Sequence, residues 1–170
     1  ISTGTLLPMN TALTITCTPA TGYKASSPTI NGTTVSNPYK ITQADIEAGR
    51  FTISATAATK QTFTFTINQS SHQTITVTCN GTAHTSTFTA TYGDKWTATI
   101  TPDTGYNAGK LSATSGTITG AVTVSATAAA IKTFTLSFGA TTNQTYTATV
   151  GGTAKAATAN ATSYTVNYGT

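Results

Sequence analysis

Residues 62–67 read Thr-Phe-Thr-Phe-Thr-Ile, an alternation that places Phe63, Phe65 and Ile67 on one face of a strand and Thr62, Thr64 and Thr66 on the other. The same two-residue period runs through Leu13, Ile15 and Cys17, through Phe51, Ile53 and Ala55, and through Ile75, Val77 and Cys79. Clean alternation marks sheets with one buried face, so the strands are expected to run antiparallel. Asn80-Gly81 and Gly151-Gly152 are hairpin dipeptides, and Pro102-Asp103-Thr104-Gly105 reads as a turn with Pro at its first central position. Residues 41–50, ITQADIEAGR, differ: Thr42 with Asp45 three positions later resembles a capping box, and Gly49 can close a single helical turn.

The strands come in copies. FTISATAAT from Phe51 returns as VTVSATAAA from Val122, QTFTFTI from Gln61 as KTFTLSF from Lys132, and QTITVTCNGTA from Gln73 as QTYTATVGGTA from Gln144, each 71 residues on. LTITCTPATGY from Leu13 returns as WTATITPDTGY from Trp96, 83 residues on, so the first copy carries a loop insertion of 12 residues between its TGY and SATA motifs. Inward positions change size but stay apolar, as Phe134, Leu136 and Phe138 do against Phe63, Phe65 and Ile67. A fixed period of this length marks an array of small modules. The expected fold is all-β: tandem small antiparallel β-sandwich modules, immunoglobulin-like, with a 71-residue repeat.

On this phase residues 1–59 hold the later strands of a first repeat with the insertion at 29–50, residues 60–130 a complete second repeat, and residues 131–170 the early strands of a third. The two incomplete segments add up to one module. Each is expected to expose strand edges and an apolar face, which neighbouring repeats or other copies of the same chain can complete by strand addition.

Thr makes up roughly a quarter of the chain and only 7% of residues are charged. β-Branched Thr suits the outward face of a pleated sheet, and the regularly placed apolar residues separate this chain from a disordered threonine-rich stalk. The net charge is +4, but successive Lys and Arg stand about ten or more positions apart, so no cluster neutralises several phosphates and no nucleic acid is expected as a partner. No apolar run of about 18 residues is present, so no membrane span is expected.

Little catalytic chemistry can be assembled. Cys17 and Cys79 correspond to Ile100 and Val150 in the other copies, which marks them as unlinked, buried small hydrophobes and not a disulfide or zinc site. His72 and His84 correspond to Asn143 and Lys155. With Asp45, Glu47, Asp94 and Asp103 as the whole supply of acids, no triad, carboxylate pair or calcium loop forms. No glycine-rich phosphate loop occurs either. No catalytic, cofactor-binding or metal-ligating residue is assigned, no cofactor is expected, and the chain is expected not to be an enzyme. The Thr-x-Thr rows raise ice binding, but a long period broken by turns makes them the outward half of ordinary alternation.

GDKWTATITPDTGY, residues 93–106, and its counterpart NTALTITCTPATGY, residues 10–23, resemble the divergent internalin-type B-repeat of bacterial surface proteins and some phage-encoded ones. The first copy continues the likeness through INGTTV, PYKIT and FTISATA. Both copies depart from the family pattern after Gly-Tyr, where KASS and NAGK stand in place of an aromatic residue. The resemblance implies a spacer and display unit with no catalytic residues. The expected function is therefore a structural or adhesive part of an extracellular stalk, fibre or phage appendage, at a cell surface or on a virion, with a host-surface glycan or protein as a further partner. The alternative is a carbohydrate-binding module, for which Tyr23 and Tyr106 in the two TGY turns are the candidate ligand contacts.

Overall fold

The computed structural model describes residues 8–156 and 162–170, and their regular structure is almost entirely β, with one short helix. The chain divides into two compact units, Ile1–Phe63 with Thr91–Gly93, and Thr64–Ala90 with Asp94–Thr170.

In the first unit the elements are β1 (Ala12–Leu13), β2 (Tyr23–Lys24), β3 (Pro28–Ile30), β4 (Thr33–Thr34), β5 (Tyr39–Lys40), α1 (Gln43–Glu47), β6 (Ile53–Ala55) and β7 (Thr59–Lys60). β1 pairs with β5, β2 with β7, and β3 lies between β4 and β6, all antiparallel. The insertion is folded and carries the helical turn expected within 41–50. Asn31 and Gly32 both take positive φ (47° and 83°), the geometry of a tight hairpin, and join β3 to β4. Thr42 caps α1: its hydroxyl accepts from the Asp45 N–H (3.3 Å), while the Asp45 carboxylate accepts from the Thr42 N–H (2.8 Å). Gly49 (φ 64°) closes the helix by donating to the Ile46 carbonyl. Ile30 and Ile41, which flank the first group of added residues, are buried.

The chain continues with β8 (Thr62–Asn68), β9 (Gln73–Cys79), β10 (Thr82–His84), β11 (Phe88–Thr91), β12 (Lys95–Pro102), β13 (Tyr106–Asn107), β14 (Ser115–Thr117), β15 (Val122–Ser125) and β16 (Ala130–Ile131). β17 (Thr133–Phe138), β18 (Thr147–Val150), β19 (Thr153–Ala156) and β20 (Thr162–Asn167) follow. One sheet has the order β10-β9-β12-β14 and another β11-β8-β15. Their buried side chains follow the expected alternation, with Phe65 and Ile67 from β8, Ile75, Val77 and Cys79 from β9, and Trp96 and Ala98 from β12. Phe65 meets Trp96 edge-on at 5.0 Å and stacks on Phe88 at 4.9 Å.

Three expectations need correction. β15 runs parallel to β8, Val122 opposite Phe65 through Ser125 opposite Asn68. Alternation fixes which face is buried but not strand direction, and the long excursion through β9–β14 supplies the crossover that a parallel pair requires. The TPDTGY turn is closed by the Tyr106 N–H donating to the Asp103 carbonyl (3.1 Å), with Gly105 (φ 84°) at the position that needs positive φ. Pro102 therefore ends β12 and does not sit inside the turn.

In the last segment, among the described residues, β17 pairs with β20 and β18 with β19. Phe134 is 54% exposed and Tyr146 39%, although their sequence counterparts Phe63 and Ile75 are half-buried and buried. No described strand in residues 131–170 takes the places that β15 and β12 hold beside β8 and β9. The third correction is Cys17, which is half-buried whereas Cys79 is buried, because residues 14–19 have among the described residues no sheet partner of the kind β9 gives β12.

Candidate functional site

The most specific constellation in each unit is built on the glycine of a TGY turn. In the first unit the Gly22 carbonyl accepts from the Gln61 N–H, and the Gln61 carbonyl accepts from the Tyr92 N–H, both at 2.8 Å. The Tyr92 ring lies so close over Gly22 that a Cβ there would overlap its carbon atoms. Gly22 has φ 81° as well, so turn geometry and ring contact both demand glycine. In the second unit the Gly105 carbonyl accepts from the Lys132 N–H and the Lys132 carbonyl from the Tyr168 N–H, again at 2.8 Å each. There the Tyr168 ring covers Gly105, which has φ 84°. Flanking pairs agree: Tyr23 lies opposite Lys60 between β2 and β7, and Tyr106 opposite Ile131 between β13 and β16.

A second constellation ties loops together through a buried amide. Gln73 is 5% exposed; its Nε2 donates to the Thr127 carbonyl (2.7 Å) and to the Ser70 hydroxyl, and its Oε1 accepts from the Gly109 N–H (2.7 Å). Beside it the Lys110 N–H donates to Thr127 Oγ1 (2.7 Å) and the Thr127 N–H to the Lys110 carbonyl (3.0 Å). Gly109 must be glycine because a Cβ would run into the Thr127 carbonyl oxygen. The first unit holds the matching backbone pair, with the Ser27 N–H on Thr56 Oγ1 (3.2 Å) and the Thr56 N–H on the Ser27 carbonyl (3.0 Å).

The two tyrosines considered as ligand contacts are half-buried in separate units. The His72 ring stacks on Tyr106 at 4.1 Å and 4° and so covers one face of it, and His72 Nδ1 stands 3.8 Å from the Asp103 carboxylate. His84 stacks on Phe88 at 3.7 Å. The histidines thus serve ring packing, and neither is brought to a serine–acid pair among the described residues. Cys17 and Cys79 are unlinked. Burial, then the nearby Asp94 charge, pushes the Cys79 thiol above its ordinary pKa. Among the described residues no three His, Cys, Asp or Glu side chains group to hold a metal, and no helix is long and apolar enough to cross a membrane.

No family model, curated protein or solved structure matches the chain. Its own internal comparison is more informative. Positive φ recurs at sequence-matched non-glycine and glycine positions: His72 (62°) and Asn143 (58°), Asn80-Gly81 and Gly151-Gly152, Gly22 and Gly105. The bridge Leu111 to Ala126 falls where Pro28 lies opposite Ala55. Tyr92, Tyr168 and Gln73 were not singled out by the sequence reading, but signals for them exist. Tyr-Gly stands at 92–93 and 168–169, and Gln opens both copies of the second strand, at 73 and 144.

Proposed function

We propose that this chain is a tandem array of small β-sandwich modules with a 71-residue repeat, serving as a structural or adhesive part of an extracellular stalk, fibre or phage appendage. The observation that carries the reading is the glycine–tyrosine joint. The carbonyl relay and the ring over a positive-φ glycine recur at Gly22, Gln61 and Tyr92 and at Gly105, Lys132 and Tyr168, positions that the repeat phase relates to one another. A contact reproduced in that way is what a stalk needs, because it fastens the turn of one module to the opening strands of the next. Residues 60–130 form one module in this reading, with the two sheets that meet through Phe65 and Trp96 as its layers. The low charge, the threonine-rich outer faces and the resemblance to internalin-type B-repeats support an extracellular setting.

Stretching single molecules by their two ends tests the module. Residues 60–130 should yield in one cooperative event that releases roughly 71 residues, or about 230–260 Å of contour at full extension less the folded end-to-end distance. Gradual lengthening with no discrete step contradicts the reading.

A further inference from the structure

We propose that the open faces of residues 131–170 are completed by residues 12–59 of a second copy of this chain, in a strand-addition joint whose register is already drawn in the middle of the molecule. The proposal rests on the repeat reading above.

In the middle of the chain β9 is flanked by β12, with Cys79 opposite Trp96, Val77 opposite Ala98 and Ile75 opposite Ile100. β8 is flanked by β15, with Phe65 opposite Val122 and Ile67 opposite Val124. The matching strands β18 and β17 have no described strand on those edges, and Tyr146 is exposed there. The strands that match β12, β14 and β15 lie in the first segment: residues 13–17, β5 and β6. Their apolar side chains are also left partly uncovered, Leu13, Ile15 and Cys17 half-buried and Ile53 exposed. Transferring the observed register sets Leu13 opposite Val150, Ile15 opposite Ala148 and Cys17 opposite Tyr146, antiparallel. It also sets Phe51 opposite Leu136 and Ile53 opposite Phe138, parallel. Each of these pairings sets apolar against apolar and gives the open edges of β17 and β18 a strand partner.

The test uses the full chain carrying Tyr146→Cys under mild oxidation. Facing positions of an antiparallel pair lie within disulfide reach. The expected product is a covalent oligomer bridged between Cys17 of one copy and the introduced thiol of another, with no such product from Thr147→Cys, one position off the register. The unsubstituted chain should associate with rising concentration in sedimentation. A chain that stays monomeric at the highest concentrations, or a bridge formed within one copy, overturns the proposal. Each of those outcomes leaves the discrete unfolding event of residues 60–130 untouched, so failure of the joint and failure of the repeat reading are told apart.

Discussion

Trp96 and Gly116 share one space. They lie opposite each other between β12 and β14, and a Cβ on Gly116 would stand 2.9 Å from the indole Nε1. At the matching place in the first unit the sizes are exchanged, with Leu13 opposite Tyr39. A large side chain on either strand fills the gap, and a small one on the other makes room for it. Trp96→Ala should cost about 3–5 kcal/mol by chemical denaturation. Trp96→Leu and Gly116→Tyr should each destabilise, while the double variant costs less than their sum by about 1–3 kcal/mol. Strict additivity contradicts the shared space. The cysteines divide at the same scale: half-buried Cys17 should alkylate well before Cys79, whose thiol is buried and shifted up. Equal rates, followed by mass spectrometry of the folded chain, contradict that order.

Among the elements, α1 shows how far local chemistry reaches. Asp45 Oδ2 accepts from the Thr42 hydroxyl (2.6 Å), the Tyr39 hydroxyl (2.6 Å) and the Thr42 N–H (2.8 Å), and these donors hold its carboxyl below the ordinary carboxylate range. The folded pKa lies under the unfolded one, so this support is fully present above the ordinary carboxylate range and is lost as pH falls through the lowered folded value. The same bond to Asp45, helped by burial, raises the Tyr39 phenol. That share is present below the ordinary phenol range and is lost as pH rises through the raised value. Asp45→Asn should therefore abolish the acid-side loss of amide protection over residues 43–49; an unchanged pH profile contradicts the cap. Gln73→Ala, which strands the Gly109 N–H and the Thr127 carbonyl, should cost about 1–3 kcal/mol in denaturant.

These elements also mark what the sequence could disclose. The capping box, the Asn-Gly hairpins and the alternating strands were legible because each depends on residues a few positions apart. The division of the insertion was not. Tyr39–Ile41 match Gly116–Ile118, the Ile41 N–H meeting the Thr11 carbonyl as the Ile118 N–H meets that of Asp94, so six of the added residues enter before β5 and six after it. Nothing local distinguishes that arrangement from one long loop. The direction of β15 and the reach of Gln73 across to Thr127 are set by strands far away in the chain. In the candidate site, the TGY glycines stood out as repeated motifs, but the tyrosines that cover them come from segments 70 and 63 residues later, beyond any local pattern.

At the scale of the molecule one contact is made twice. If the glycine–tyrosine joint is a fixed part of the repeat, each copy is its own control. Amide hydrogen exchange on the intact chain, alone and with Gly22→Ala or Gly105→Ala, is the most direct measurement. Gln61, Tyr92, Lys132 and Tyr168 should be protected like core strands, since each donates to a carbonyl of the relay. Gly22→Ala should strip protection from Gln61 and Tyr92 alone, and Gly105→Ala from Lys132 and Tyr168 alone. Fast exchange of these four amides in the unsubstituted chain, or protection that survives both substitutions, contradicts the joint and with it the array.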